Sequence, residues 1–198
     1  LGGVVDDLVD EAAGIVSFDG GQFHPFRALG EVGEAFSNPA IIAKLPGTMA
    51  IGHNRYATTG ETALRNVQPL FAEFHAGGLA LAHNGNLTNA ATLKQSLVEQ
   101  GCLFQSTSDT EVIIHLMAMD RSPTLTERLV AALRQVHGAY SLVALGRDTM
   151  IGMRDPAGVR PLLLGRLGDA WILASESCAF DIIGAAVVRD VEPGEMVV

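Results

Sequence analysis

Three short polar clusters interrupt an otherwise apolar sequence, and each follows an apolar run or opens a helical pattern. They occupy residues 53–60, 83–89 and 106–111. Together they contain an arginine, an asparagine followed by glycine, and an aspartate, so they could supply a cation, two oxyanion donors and an anion. That set suits an amino-acid zwitterion whose side-chain carbonyl is attacked by a nucleophile.

The first cluster contains Arg55, which follows a predicted strand. A guanidinium presents a rigid fork of donors that matches a carboxylate, and the hydroxyl of Thr58 could donate to the same group. The alternative is a polar turn whose arginine pairs with a structural acid, and the residue types alone favour that alternative.

The second cluster contains Asn84 and Gly85, directly after an apolar run. A side-chain amide next to a glycine N–H offers two neighbouring donors, which is what a developing oxyanion requires. Asn-Gly is also a common turn dipeptide, and in isolation the turn is the favoured interpretation.

The third cluster, Ser106-Thr107-Ser108-Asp109-Thr110-Glu111, has the spacing of a helix capping box. Asp109 could instead be a carboxylate that receives an ammonium group. Spacing alone does not decide between the two interpretations.

The sequence shows no evident nucleophile. Cys102 and Cys178 lie in apolar contexts, and we expect both to be reduced core residues. The remaining histidines have no metal-ligand spacing and are interpreted as structural or surface residues; they are His24, His75, His115 and His137.

Short apolar or alternating runs bounded by turn residues predict eight strands. They are residues 14–18, 48–52, 78–83, 140–145, 161–164, 170–174, 186–191 and 196–198. Strands, then helices, then strands again favour an α+β fold in a single domain over residues 1–198. Several strands are apolar on both faces, which requires a cover on each side of their sheet.

Three helical patterns lie between these strands. The first has Thr88 or Asn89 as its cap, ends at Gly101, and places Leu93, Leu97 and Val98 on one face. The second begins at the capping box of the third cluster. The third begins at Thr124 and Glu127, which repeat the capping-box spacing, and Gly138 stops it.

Composition excludes several classes of function. The 198 residues carry a net charge of −9 and no stripe of Lys and Arg, so a nucleic-acid partner is not expected. No apolar stretch approaches the roughly 18 residues of a membrane span, and the start of the chain lacks a secretory signal. We therefore expect a soluble, cytoplasmic protein with no membrane partner.

Nine segments in register resemble the N-terminal glutaminase domain of class II glutamine amidotransferases. They are residues 11–15, 53–60, 68–69, 83–89, 106–111, 138–141, 154–162, 174–177 and 191–195. Arg55-Tyr56 and the turn at 154–162 are most similar to the amidophosphoribosyltransferase branch of that family. The resemblance implies an α+β, four-layer αββα sandwich of the N-terminal nucleophile (Ntn) hydrolase type.

The resemblance also implies roles for individual residues. Arg55, helped by Thr58, would hold the α-carboxylate of glutamine, and Asp109 would receive its α-ammonium. Asn84, through its side-chain amide, and Gly85, through its N–H, would be the oxyanion donors. No metal ligand is implied in this domain.

The chain departs from the family pattern at its start. Family members begin with a catalytic cysteine, whereas this chain begins Leu1-Gly2-Gly3, and Leu8-Val9-Asp10 stands where the family has His-Arg-Gly-Gln. Either segments of the parent protein are missing from the chain, or the domain has lost its nucleophile. We favour the first explanation, with a domain incomplete at its N-terminus.

The resemblance implies an enzyme that releases ammonia from glutamine for the synthesis of 5-phosphoribosylamine from phosphoribosyl diphosphate, in purine biosynthesis. A phosphoribosyltransferase domain is expected after residue 198, with Mg²⁺ and, in some relatives, an iron–sulfur cluster. A homo-oligomer is also expected. The alternatives are a non-catalytic glutamine-binding or assembly domain and another class II amidotransferase.

Overall fold

The computed structural model describes residues 11–56, 63–75 and 77–198, and only the backbone of Tyr56. Within these ranges the chain forms eleven strands and six α-helices. The strands are β1 Glu11–Phe18, β2 Phe23–Leu29, β3 Met49–Tyr56, β4 Leu70–Phe74, β5 Gly77–Leu87, β6 Gly138–Leu145, β7 Met150–Arg154, β8 Leu163–Leu167, β9 Ala170–Ala174, β10 Ala186–Asp190 and β11 Met196–Val197. The helices are α1 Val32–Phe36, α2 Pro39–Ile42, α3 Ala90–Glu99, α4 Thr110–Met119, α5 Leu125–Leu133 and α6 Cys178–Ile183.

The strands assemble into three antiparallel sheets. The central sheet has the order β11-β7-β6-β5-β4, the first small sheet β2-β1-β3, and the second small sheet β10-β8-β9. A single 3₁₀ turn, Leu64–Asn66, precedes β4. No helix in the described ranges is long and apolar enough to cross a lipid bilayer.

The central sheet is buried on both faces, as its sequence predicted. In β5, Leu79 and Leu81 belong to the core beneath the long helices, and Ala80 and Ala82 face the first small sheet. All four side chains are almost fully buried. Because alternate residues of a strand point to opposite faces, one apolar run contributes to two cores. The alanines on the inter-sheet side let Val16 of β1 pack close to β5.

The layers follow the order helix, sheet, sheet, helix. Helices α3, α4 and α5 cover the outer face of the central sheet, and the two small sheets cover its inner face. Leu173 of β9 packs against Gly152 of β7. On the far side, the fully buried ring of Phe180 in α6 lies directly against Gly165 of β8, where a Cβ would collide with it. The αββα expectation is confirmed.

The sequence patterns did not predict three of the strands and three short helices. The omitted strands are β2, β4 and β7, and the omitted helices are α1, α2 and α6. Strand β2 contains Pro25, and this proline is tolerated because β2 lies at the edge of its sheet. Strand β4 is also an edge strand, and it is only five residues long. The omitted helices have four to six residues, which is fewer than two turns and too few to show a helical period.

Two of the three predicted helix caps are wrong in detail. The Asn89 side chain makes no cap bond, because its amide bridges instead to the backbone of Gln135 and His137. The third cluster forms no capping box, because the Glu111 carboxylate accepts from the backbone N–H groups of Gln105 and Ser106. Val98 is 52% exposed and does not share the buried face of Leu97.

The capping box of α5 is confirmed. Thr124 Oγ1 accepts from the N–H of Glu127, whose carboxylate accepts from the Thr124 N–H. Both bonds satisfy donors that the first turn of a helix otherwise leaves unpaired.

Replacing Thr124 with alanine should therefore lower the free energy of unfolding by about 1 kcal/mol, the usual cost of losing an N-cap. Urea denaturation of the native protein and of T124A measures it. Thr126→Ala is the matched control, since Thr126 lies in the same turn and makes no side-chain hydrogen bond to a described residue. Equal stabilities of the two variants would contradict the assignment.

Candidate active site

A cavity of about 1180 Å³ opens where β3 and β5 meet the loop that precedes α4. Four of the five predicted site residues line it: Arg55, Asn84, Gly85 and Asp109. The fifth, Thr58, lies outside the described residues. The fold thus brings the three polar clusters, far apart in sequence, to one place.

The donors of the second cluster lie on the part of β5 that projects beyond its neighbour β4. Pairing between these strands ends at Leu70 and Leu81, whereas pairing of β5 with β6 continues to Leu87. From residue 82 onward, one edge of β5 therefore has no partner strand. Side chains occupy that edge instead.

Two main-chain N–H groups on the projecting edge are held by side chains. The N–H of His83 donates to Gln68 Oε1 at 2.7 Å, and that of Leu87 donates to Asp109 Oδ2 at 2.9 Å. Main-chain groups alternate between the two edges of a strand, so the N–H of Gly85 points to this edge as well. It makes no hydrogen bond to a side chain in the described ranges, which leaves a donor aimed away from β6.

The residue at position 85 has to be glycine. Its φ is +152°, and a Cβ there would collide with the carbonyl oxygen of Ala139 and lie 2.9 Å from His83 Nε2. Asn84 and Gly85 are within β5, opposite Ser141 and Tyr140 of β6. The interpretation of this dipeptide as a turn is therefore wrong.

Asn84 supplies the second donor beside Gly85. Its side chain is half-buried and lines the cavity, and its amide makes no hydrogen bond within the part of the chain that the structure describes. A free side-chain amide next to a free backbone N–H is the donor pair that an oxyanion site needs.

Arg55 reaches the cavity from the first small sheet. It lies on β3 opposite Ala12 of β1 and is half-buried. No ion pair formed among residues 11–56, 63–75 and 77–198 includes Arg55, so the alternative in which it pairs with a structural acid finds no support there. Its guanidinium is available to a carboxylate ligand.

The Asp109 carboxylate supplies a negative charge to the cavity, as Arg55 supplies a positive charge. Its Oδ1 is 3.5 Å from His83 Nδ1, which is also 3.2 Å from the Thr110 hydroxyl. Burial raises the pKa of the Asp109 carboxyl, but the hydrogen bonds from His83 and the Leu87 N–H outweigh it, and the net pKa lies below its usual value. The carboxylate is therefore negatively charged at neutral pH.

The peptide group of His83 joins the two sheets. Its carbonyl oxygen accepts from His53 Nε2 of β3 at 3.1 Å and from Gln68 Nε2 at 3.3 Å. Burial lowers the pKa of His53 to about 4, so the ring is neutral and Nε2 carries its proton. Sequence reasoning assigned no role to His53, His83 or Gln68, although all three lie in the motifs it singled out.

The loop carrying Asp109 is held by buried side chains. Asn66 donates to the Thr107 hydroxyl and accepts from the Thr107 N–H, each at 2.9 Å. Glu111 accepts from the Ser106 hydroxyl at 2.6 Å. Asn66 is another contributor that sequence reasoning missed, because its partner is 41 residues away.

The turn at residues 154–162 has a structural role. Asp155 is fully buried and accepts from the N–H groups of Ala157, Val159 and Arg160. The Arg154 guanidinium donates to the carbonyl oxygens of Gly158, Arg160 and Val191. This turn ties the end of β7 to the second small sheet.

Both cysteines are free. Cys102 is half-buried, with its Sγ 3.7 Å from Met119 Sδ. Cys178 is exposed at the wall of the cavity, 3.5 Å from the Glu176 carboxylate, so the expectation of a core position is wrong for it. It is the first residue of α6 and is exposed.

Two stacked antiparallel sheets between helices, with a polar cavity at the strand ends, define a domain of the Ntn hydrolase fold. The sequence profile of the "Glutamine amidotransferase domain" family matches residues 53–181, which is well over half of the chain. The chain belongs to this family of glutamine amidotransferase domains.

Two curated relatives are amidophosphoribosyltransferases. An amidophosphoribosyltransferase of Rhizobium etli is 53% identical over 188 residues, covering 95% of this chain and 38% of the relative. That of Bacillus subtilis is 47% identical over 189 residues, covering 95% of this chain and 40% of the relative. The chain therefore spans about 40% of the length of these relatives.

Solved structures agree in fold. The glutamine phosphoribosylpyrophosphate amidotransferase of B. subtilis, solved with ADP and GMP, is 45% identical with a TM-score of 0.88; the match covers 96% of this chain and 41% of that one. A class-II glutamine amidotransferase domain protein of Silicibacter pomeroyi has a TM-score of 0.62 at 16% identity, over 93% of this chain and 85% of that one. The second likeness concerns the fold alone.

The buried neutral His53 predicts a defined pH dependence of stability. Its pKa is about 4 when folded and 6.5 ordinarily, so the unfolded chain binds the proton more readily. The contribution of neutral His53 to the free energy of unfolding is therefore fully present above about pH 6.5. As the pH falls toward about 4, the free energy of unfolding decreases by roughly 2 to 3 kcal/mol.

Urea unfolding of the native protein at pH values from about 7 to about 4.5 measures this loss. His53→Gln, which can still donate to the His83 carbonyl, should flatten the dependence. The exposed His137→Gln variant should retain it. An H53Q variant with the unaltered slope would show that another group is responsible.

Proposed function

We propose that this domain hydrolyses the side-chain amide of glutamine. The observation that carries the proposal is the single cavity lined by Arg55, Asp109, Asn84 and Gly85. A cation and an anion in one cavity match the two charged ends of an amino acid. The donor pair on β5 matches the only other polar group of glutamine, its carboxamide.

In the proposed complex, the α-carboxylate of glutamine pairs with the Arg55 guanidinium, and its α-ammonium pairs with Asp109. The lowered pKa of Asp109 supports this arrangement, because it keeps the carboxylate charged at neutral pH. Each bond joins two charged groups in a partly desolvated cavity, where such bonds are stronger than neutral ones. Glutamine and glutamate therefore bind through the same two contacts.

The reaction follows from the donor pair. A cysteine thiolate attacks the amide carbon, a carbon–sulfur bond forms, and the carbonyl electrons move to the oxygen. The oxyanion accepts hydrogen bonds from the Asn84 side-chain amide and the Gly85 N–H. Its collapse breaks the carbon–nitrogen bond, and the departing nitrogen takes a proton and leaves as ammonia. Water then cleaves the thioester, which releases glutamate and restores the thiol.

The nucleophile in this proposal is the N-terminal cysteine implied by the family resemblance, with its own α-amine as the proton acceptor. An α-amine has a pKa near 8, so it can take a thiol proton at neutral pH. Neither Cys102 nor Cys178 is assigned this role. Determining the N-terminal residue of the native protein tests the assignment directly.

For the whole protein, we propose that the ammonia replaces the diphosphate of phosphoribosyl diphosphate and yields 5-phosphoribosylamine. The names of the relatives at 53% and 47% identity support this use of the ammonia. Because they are more than twice as long as this chain, the second reaction belongs to a further domain. Mg²⁺ and any iron–sulfur cluster are assigned there, and no step in this domain depends on them.

Asn84→Ala should lower kcat for glutamate release by about 10²- to 10³-fold, since one oxyanion donor is lost. KM for glutamine should change little, because Asn84 contacts the oxygen most strongly in the transition state. Steady-state glutaminase assays of the native protein measure both constants. Asn84→Asp keeps the size but places a carboxylate at the oxyanion, so it should be at least as inactive; undiminished turnover in both variants would refute the proposal.

Asp109→Asn should instead raise KM for glutamine, by about 10-fold or more, because a charged hydrogen bond to the ammonium is weakened. The asparagine oxygen can still accept from the Leu87 N–H, so β5 stays in place. Calorimetric binding of glutamate should weaken in parallel. The exposed Asp148→Asn variant has the same charge change and should bind glutamate normally. Equal glutamate affinities of D109N and the wild type would show that Asp109 does not bind the ammonium group.

A further inference from the structure

Gln68 occupies the point at which the central sheet loses a strand. Strand β4 begins pairing with β5 at Leu70. The main chain of the two preceding residues, Gln68 and Pro69, does not extend the ladder to His83. The buried Gln68 side chain does so instead.

The amide of Gln68 makes the two bonds that the main chain of a residue on a neighbouring strand would make. Its Oε1 accepts from the His83 N–H at 2.7 Å, and its Nε2 donates to the His83 carbonyl at 3.3 Å. A primary amide has the same donor and acceptor as the backbone, so it can replace one rung of a sheet. Without it, the buried His83 N–H would lose its partner, at a cost of about 1–3 kcal/mol, while the carbonyl would keep the bond from His53.

The opposite side of Gln68 is closed by strand β1. A Cβ at Gly14 would collide with the Gln68 carbonyl oxygen, so only glycine lets β1 approach this closely. The Gln68 main chain is thus confined between β1 and β5, which restricts where its side chain can reach. A confined side chain imposes its geometry on the strand it binds.

Asn84 and Gly85 come directly after the clamped residue His83. Beyond it, the described contacts that hold the free edge of β5 are limited to the Asp109 bond to the Leu87 N–H. The orientation of the two donors therefore depends on how the main chain is held at His83. An error of a few tenths of an ångström in donors of this kind weakens a transition state more than a ground state.

We propose that Gln68 is a positioning residue for the oxyanion donors Asn84 and Gly85. It acts through the main chain of His83, toward which both polar atoms of its amide point, and it makes no contact with substrate in this assignment. The inference rests on the proposed glutamine hydrolysis and deepens it.

The test uses Gln68→Met in the native protein, since methionine has a similar length and no hydrogen-bonding amide. We expect kcat for glutamate release to fall by about 10- to 100-fold, while KM for glutamine changes by less than about threefold, because oxyanion stabilisation acts in the transition state. Amide hydrogen exchange at His83, followed by NMR or mass spectrometry, should accelerate independently of activity.

Asn89→Leu is the matched control. The Asn89 amide also bridges main-chain groups, accepting from the His137 N–H at 2.8 Å and donating to the Gln135 carbonyl at 2.9 Å, but it does not line the cavity. N89L should lose stability and keep wild-type kcat. Equal losses of kcat in Q68M and N89L would reduce Gln68 to a general structural role and overturn the inference.

Gln68→Glu provides a second variant. Its carboxylate can still accept from the His83 N–H but repels the His83 carbonyl, and protonation restores a donor to that oxygen. The ratio of its kcat to that of the wild type should therefore rise as the pH falls, and a flat ratio would contradict the clamp. A wild type that releases no glutamate would refute the proposed function itself, whereas an active wild type matched by Q68M would refute only the role of Gln68.

Discussion

The main-chain N–H and carbonyl of His83 form the joint on which the cavity depends. They bind His53 of the first small sheet and Gln68 of the segment before β4, while His83 itself belongs to the central sheet. Arg55 is carried by one of these sheets, and Asn84 and Gly85 by the other. A ligand that touches all of them needs a constant separation between the sheets. Apolar packing alone does not define that separation, because the hydrophobic effect is not directional. Hydrogen bonds to one carbonyl oxygen are directional and can define it.

Most side chains of the polar network around this joint have a partner, although the buried ring atoms His53 Nδ1 and His83 Nε2 make no hydrogen bond to a described residue. Asp109 holds Leu87 and faces His83, Asn66 holds Thr107, and Glu111 holds the start of the same loop. Buried polar groups are costly when unpaired and mutually reinforcing when paired. The Gly85 N–H and the Asn84 amide make no hydrogen bond to a described side chain, and both residues line the cavity. They are therefore donors that a ligand in the cavity can use.

Much of the fold could be anticipated from local patterns. The apolar residues on both faces of β5 predicted a sheet covered on both sides, and the capping box at Thr124 predicted the start of α5 correctly. The cap predictions at Asn89 and Glu111 failed because each side chain binds backbone groups outside its helix. Asn89 binds residues 46 and 48 positions away, whereas Glu111 binds Gln105 and Ser106 in the preceding loop. Local spacing is the same whether a polar side chain binds its own helix terminus or other backbone groups.

By itself, the sequence determined which chemical groups were available and roughly where the strands and long helices lie, because residue type and periodicity act over a few neighbouring positions. It also contained the ordered motifs that identify the family. Tertiary structure decided that Asn84-Gly85 is a strand and not a turn, and that Gln68 completes a sheet. It also decided that Arg55 and Asp109 share a cavity. These outcomes depend on contacts between residues tens of positions apart, whose geometry exists only once the two sheets have packed together.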